Sequence, residues 1–294
     1  MDSKTKKGLL IAISGAACWG ASGTVAEYLF AATKIQPMWL VTVRLLVAGL
    51  LLLLLAKLRK IDVFAVWRRP RSAVQLLLFA LLGMLPSQSA YFMAVKTGNA
   101  PTATVIQFLG PIFIILYLSV SRKVVPTKPD ALSVGLAVLG TFFLVTGGHL
   151  DKLALSSSAI LWGVAAGLAQ ASYTLLPGKL LKDYDEMTIV GWGMLLAGIP
   201  LSGNLGWTAL PQFNVSSYLG IAFIIIFGTM VAYFFYLLSL RYLKPSTTGM
   251  LSSFEPLTAT FLSVLFLGVT FNWVQALGIG LIISTVFISS RTSK

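Results

Sequence analysis

The residue with the clearest potential for chemistry in this 294-residue chain is Glu255, a carboxylate within a long apolar stretch. If that stretch is a helix beginning near Pro245, a rise of about 1.5 Å per residue puts Glu255 about 15 Å deep, near the middle of a bilayer. A carboxylate at that depth is costly, so it should face the protein interior and bind a substrate ammonium group or a coupling proton. The alternative is a structural carboxyl group satisfied by neighbours such as Ser252.

Trp19 is a second candidate because it lies about eleven residues into the first apolar stretch. That depth is away from the membrane interfaces, where tryptophan is enriched. Trp19 could therefore line an aromatic pocket that stacks planar groups or holds a cation over a ring face, or it could simply pack between helices. The other aromatic candidates for this pocket are Tyr91, Phe108, Tyr173, Trp192 and Tyr236.

Two glutamines could contact a polar ligand. Gln88 lies in the proline-interrupted run 83–89 of one apolar stretch, and Gln107 lies in the next. Such breaks persist in a membrane only where neighbours or a cavity satisfy the freed backbone groups. Each glutamine could hydrogen-bond a substrate or merely tie two helices together. The complete predicted substrate-binding set is Trp19, Ser22, Gln88, Tyr91, Gln107, Tyr173, Ser252 and Glu255.

Glu27 and Arg44 form a candidate ion pair. Counting residues from the start of each segment places both near the same surface of the membrane. We interpret the pair as a structural clamp or as an outer gate.

The composition is that of an integral membrane protein. Hydrophobic residues make up 57% of the chain and charged residues 11%, and the mean hydropathy is +0.87. Nearly every basic residue lies in a short connector between apolar runs, so the net charge of +13 does not indicate a nucleic-acid partner. The predicted partners are the lipid bilayer and a small-molecule substrate, with a proton as the candidate coupling ion. The ten apolar stretches lie at about 8–30, 38–56, 73–94, 100–120, 131–148, 156–177, 187–203, 216–239, 246–267 and 272–290.

The basic residues also predict an orientation. Of the 22 Lys and Arg residues, all but four lie in one alternating set of connectors that includes both termini. Because positive charge accumulates on the cytoplasmic side, we expect a multi-pass plasma-membrane protein with both termini in the cytoplasm.

An internal repeat organises the chain into two halves. Residues 91–144 align without a gap on 236–289 at a shift of 145, so that Pro111 meets Pro256. We interpret the two prolines as paired helix breaks. Gly110 meets Glu255, and carriers place substrate sites at such repeat interfaces. Five spans per half make the second half inverted, so the predicted fold is an all-α membrane protein of ten transmembrane helices in two repeats, 1–150 and 151–294.

The chain lacks the sequence motifs for several kinds of chemistry. The chain contains no phosphate-binding loop, so nucleotide hydrolysis is not expected to drive it. Its single histidine, His149, rules out a metal-binding HExxH motif, and we predict no metal and no cofactor. A convincing nucleophile, base or metal set is missing, so we predict that the chain is not an enzyme.

At these residues the chain resembles the EamA-type carriers of the drug/metabolite transporter superfamily. The resemblance rests on Trp-Gly-Ala-Ser at 19–22, Arg44 with the leucines that follow it, and Ser-Ser-Phe-Glu-Pro at 252–256. It covers essentially the whole chain as two repeats. One departure is Val269, which follows Gly268 where the family usually has a glutamate; another is the basic pair at 122–123, where an acidic residue is common.

The resemblance implies a ten-helix inverted-repeat carrier with a central cavity that moves small metabolites, often amino acids or drugs and often outward. Our first hypothesis is export of amino acids or similar amphipathic compounds by alternating access. The second is uptake of choline or another quaternary ammonium compound, held by Trp19, the tyrosines and Glu255. A membrane-embedded enzyme or a non-transporting scaffold is a remote alternative.

Overall fold

The computed structural model describes residues 3–122, 128–149, 154–205, 213–239, 242–243, 251–252 and 254–292, and these residues form helices and turns without a strand. In the first half, α3 and α4 are joined by a π-helical turn, Phe79–Met84. The helices of this half are α1 (Ser3–Thr33), α2 (Pro37–Leu58), α3 (Pro70–Leu78), α4 (Leu85–Thr97), α5 (Ala100–Gln107), α6 (Gly110–Arg122) and α7 (Lys128–Thr146).

The second half is also built from helices. A second π-helical turn, Ile226–Val231, joins α11 to α12. The helices of this half are α8 (Ser157–Leu175), α9 (Leu180–Asp183), α10 (Glu186–Leu201), α11 (Val215–Ile225), α12 (Ala232–Ser239), α13 (Phe254–Leu267) and α14 (Trp273–Thr292). The basic residues Lys123, Lys152, Arg241, Lys244 and Lys294, which enter the orientation count, lie outside the described residues.

Within the described part of the chain, six helical segments are long and apolar enough to cross a membrane. They are Thr5–Thr33, Pro37–Leu58, Pro70–Thr97, Ala100–Ser121, Ser157–Gly178 and Val215–Tyr236. Four shorter apolar helices, Ala131–Thr146, Glu186–Leu201, Phe254–Leu267 and Trp273–Thr285, lie at the other four predicted positions. The all-helical membrane fold is therefore confirmed, and the count of ten spans stays a prediction.

Equivalent helices of the two halves cross each other at glycines. A Cβ atom on Gly49 of α2 would lie 2.9 Å from the carbonyl oxygen of Gly191 of α10. A Cβ atom on Gly140 of α7 would lie 2.8 Å from the carbonyl oxygen of Gly278 of α14. Only glycine allows backbones to approach this closely. Because each crossing pairs corresponding spans, the two halves are related by a pseudo-twofold axis near these contacts.

The two π-helical turns occupy corresponding places in the two halves. Gly83 in the first lies against the backbone of Tyr173 in α8, and Gly228 in the second lies against Ser22 in α1. Pro86 explains the first turn, because its ring crowds the carbonyl four residues earlier. The second turn has no proline; instead, the Thr229 hydroxyl donates to the Ile224 carbonyl, five residues back, at 2.9 Å. In each half, the first helix therefore packs against the π-helical turn of the other half.

The predicted helix break at Pro111 is present. Phe108 and Leu109 form a turn between α5 and α6, and α6 begins at Gly110, so Pro111 lies in a first turn that needs no donor from it. Pro256 has the corresponding position in the first turn of α13. Residues 246–250 and 253, which precede it in the predicted span, lie outside the described residues.

Candidate functional site

A cavity of about 620 Å³ lies between the two halves, with walls from both. All eight residues predicted to bind substrate line it: Trp19, Ser22, Gln88, Tyr91, Gln107, Tyr173, Ser252 and Glu255. The volume falls within the range of about 300–1,000 Å³ that is typical of small-molecule pockets. The fold thus brings the predicted residues together, and their contact with a substrate stays a prediction.

A connected row of aromatic rings forms one wall of this cavity. The Trp19 ring lies 5.1 Å from that of Tyr233, edge to face, and 5.4 Å from that of Tyr236. Tyr233 lies 6.5 Å from Tyr173, which in turn lies 5.5 Å from Phe79. These rings come from α1, α12, α8 and the first π-helical turn, so the wall joins the two repeats. Such a wall provides apolar area and ring faces for a cationic group.

One end of the cavity is sealed by buried hydrogen bonds. Tyr91 lies against Gly23, and its hydroxyl lies 3.1 Å from that of Thr104. Further out, a carboxylate oxygen of Glu27 accepts from the backbone N–H of Ala100 at 2.8 Å and from the Ser263 hydroxyl at 3.2 Å. Glu27 therefore ties α1 to the start of α5 and to α13. It lies outside the cavity lining.

The opposite end of the cavity reaches the protein surface. Its lining there includes Pro177 and the exposed residues Leu181 and Glu186. These residues belong to the connector between α8 and α10, which the charge count predicts to be cytoplasmic. In this conformation the cavity opens at the predicted cytoplasmic end and is closed at the Glu27 end.

Arg44 is not paired with Glu27, so the predicted ion pair is wrong for this conformation. Its Nε atom donates to the Thr229 hydroxyl at 2.6 Å, and its guanidinium lies 4.8 Å from the centre of the Phe92 ring. Arg44 faces the cavity instead, with only 5% of its surface exposed. Counting residues gave the depths of Glu27 and Arg44 but not the directions of their side chains.

Glu255 lies in the first turn of α13, with its side chain in the cavity wall. Its backbone N–H donates to the carbonyl of Ser252 at 2.9 Å. The positive end of the α13 dipole favours a carboxylate at this position. Gly20 of α1 packs against the backbone of Glu255 and Ala259, so a small residue in α1 lets the two helices touch. The repeat-equivalent Gly110 also lines the cavity, and lacks a side chain there.

Trp192 does not contribute to the aromatic wall. Its indole N–H donates to the Val63 carbonyl at 2.7 Å, and its ring packs edge to face on Trp67 at 5.2 Å. The cavity residues that escaped the sequence prediction include Phe79, Gln170 and Tyr233. Tyr233 had a detectable signal, because it precedes Tyr236 by three residues and so shares its helix face. Gln170, which accepts from the Ser87 hydroxyl at 3.2 Å, had none.

The sequence matches the EamA-like transporter family over residues 6–146 and 157–291. The chain belongs to the EamA-like transporter family. It is 33% identical over 295 residues to the uncharacterized inner membrane transporter YicL of Salmonella typhimurium, covering 99% of this chain and 97% of that protein. It is 31% identical over 217 residues to the threonine/homoserine exporter RhtA of Escherichia coli, covering 69% of this chain and 67% of RhtA.

A solved crystal structure shares the fold, with a TM-score of 0.66 at 14% identity, over 98% of this chain and 99% of that one. At such a low sequence identity, the structural similarity is evidence for a shared fold only. Family membership together with the apolar helices establishes a multi-pass membrane protein that acts as a transporter. The similar proteins named above are transporters rather than enzymes.

Proposed function

We propose that this transporter exports amino acids or similar small amphipathic compounds by alternating access between its two repeats. The observation that carries the proposal is the cavity between the halves, with an aromatic wall and both a cationic and an anionic side chain. An amino acid offers the matching parts: an ammonium group, a carboxylate and a small, partly apolar body.

Two further observations support the amino-acid class and the outward direction. RhtA, a threonine/homoserine exporter, is 31% identical over two thirds of this chain. The cavity opens at the end predicted to be cytoplasmic, where an exporter loads its substrate, and the bonds of Glu27 close the other end.

Uptake of a quaternary ammonium compound is the second candidate. Trp19, Tyr233 and Tyr236 could surround such a cation, and Glu255 supplies a negative charge. Arg44 speaks against it, because a buried guanidinium in the same cavity repels a ligand whose only charge is positive.

The test is exchange of labelled substrate by purified protein in liposomes. Liposomes loaded with unlabelled L-threonine should take up labelled L-threonine saturably, homoserine should compete, and choline should not. Exchange of choline without exchange of threonine would favour the second candidate. Exchange of neither compound nor of any standard amino acid would overturn the amino-acid class.

The same liposomes test the coupling ion, for which we propose the proton with Glu255 as its carrier. An imposed pH gradient should drive labelled threonine above its equilibrium level. Equilibration alone would indicate facilitated transport and would contradict proton coupling. The direction of transport can be measured with inside-out membrane vesicles. These vesicles should accumulate the substrate if the protein is an exporter.

A further inference from the structure

Two side chains of opposite charge face the same cavity without pairing to each other. Arg44 and Glu255 both line it, and the described residues include no ion pair between them. Glu255 has no charged counterpart in the other half, because it corresponds to Gly110 under the 145-residue shift. Its charge is therefore an addition to a duplicated scaffold rather than part of its symmetry.

Arg44 lines the cavity and is held in place by two contacts. Thr229 binds the Nε atom and is itself fixed by its hydrogen bond to the Ile224 carbonyl within the π-helical turn. The Phe92 ring covers the guanidinium. A guanidinium has five N–H donors, and within the described part of the chain the terminal nitrogens of Arg44 make no hydrogen bond. Those two nitrogens form the planar fork that binds a carboxylate end-on.

Glu255 offers the complementary group. Its carboxylate has no hydrogen bond or ion pair within the described residues, although its side chain is partly buried in the cavity wall. A charged group in this position is costly unless it finds a partner. A cation alone would leave Arg44 unpaired, and an anion alone would leave Glu255 unpaired. A ligand that carries both charges satisfies both side chains.

We propose that the cavity selects zwitterionic α-amino acids by binding the carboxylate to Arg44 and the ammonium group to Glu255. This inference rests on the proposed export of amino acids and narrows it to compounds with both groups free. Hydrogen bonds of about 2.8 Å form at each end of the ligand, and its side chain lies against the Trp19 and Tyr233 rings. Thr229 is the positioning residue for Arg44.

The test compares three ligands that differ in one charged group each. L-Threonine has both groups, L-threoninamide lacks the carboxylate, and N-acetyl-L-threonine lacks the ammonium. Competition with labelled threonine on the purified protein should show each analogue binding about 30-fold or more weakly, since truncating one partner of a buried charge pair costs at least this much.

Two variants test which residue causes the affinity difference between threonine and each analogue. In Arg44→Gln, threonine and threoninamide should bind about equally, while N-acetylthreonine stays the weaker ligand. In Glu255→Gln, threonine and N-acetylthreonine should bind about equally. Arg68→Gln and Asp62→Asn make matched losses of charge on exposed residues outside the cavity, and both should keep the wild-type affinity ratios.

Each possible result decides the proposal. If the wild-type protein binds an analogue as well as threonine, the zwitterion inference is overturned, whereas threonine exchange in liposomes would leave the export function standing. The wild-type ratios alone suffice if a variant does not fold. Unchanged ratios in folded Arg44→Gln or Glu255→Gln would also overturn the assignment. Absence of exchange of threonine and of every other standard amino acid would overturn the proposed function together with this inference.

Discussion

Replacing Glu27 by glutamine should loosen the closed end of the cavity. In this conformation the carboxylate accepts from the Ala100 N–H at 2.8 Å and from the Ser263 hydroxyl at 3.2 Å. Alternating access requires α1, α5 and α13 to separate at this end, which would break both bonds. Glutamine keeps an acceptor oxygen of the same shape and removes only the charge.

The size of the effect follows from these two bonds. A hydrogen bond to a charged group contributes about 1 kcal/mol more than one between neutral groups. Replacing the carboxylate by a neutral amide therefore removes about 2 kcal/mol of stabilisation from the two bonds. Because Glu27 is only partly buried, screening reduces this to about 1–2 kcal/mol. The population open at the Glu27 end should therefore rise roughly 5- to 30-fold relative to the closed one.

Cysteine accessibility measures this population. Ala103, 2% exposed on α5, is a suitable reporter position when changed to cysteine in a Cys18→Ser background. A membrane-impermeant maleimide added from outside should label it roughly 5- to 30-fold faster with Glu27→Gln than without it. Asp62→Asn, a matched loss of charge on an exposed connector, should not change the rate. An unchanged rate with Glu27→Gln would show that these bonds survive opening and would refute the reasoning.

Three further substitutions have defined outcomes. Gly140→Leu should destabilise the protein by about 1–3 kcal/mol or more and lower its melting temperature, because its Cβ would lie 2.8 Å from the Gly278 oxygen; Gly135→Leu on the same helix, with no atom within 4 Å, should not. Trp19→Ala should abolish the thermal stabilisation by threonine, whereas Trp273→Ala, on a 77% exposed residue, should preserve it. Thr229→Val should weaken threonine binding by about tenfold or more without affecting threoninamide, because it frees Arg44 from its positioning bond.

The sequence could predict how far each candidate residue lies from the membrane surface. Glu255 and Trp19 were selected because their types are unusual at their distance from the membrane surface, and Gln88 because it lies in a proline-interrupted run. All three line the cavity. The repeat added a second constraint, since residues near the pseudo-twofold axis converge from both halves. These arguments need only residue types and a fixed rise per residue.

The direction of a side chain around its helix was not predictable in the same way. Arg44 was matched to Glu27 by depth, but its helix face turns it towards Thr229 and the cavity. The second π-helical turn, which holds Thr229, contains no proline and left no sequence signal. A local change in helical pitch rotates every following side chain, and Tyr233 and Tyr236 both follow that turn.

Protection of a cavity cysteine by substrate would test most directly whether this cavity is the transport site. In a Cys18→Ser background, Gln88→Cys places a thiol in the lining, and Leu161→Cys places one on a 68% exposed outer face. Threonine should slow alkylation of the thiol at position 88 saturably, at the concentrations that half-saturate exchange, and leave position 161 unaffected. Undiminished alkylation at position 88 in a variant that still exchanges threonine would place the substrate elsewhere and contradict the central claim.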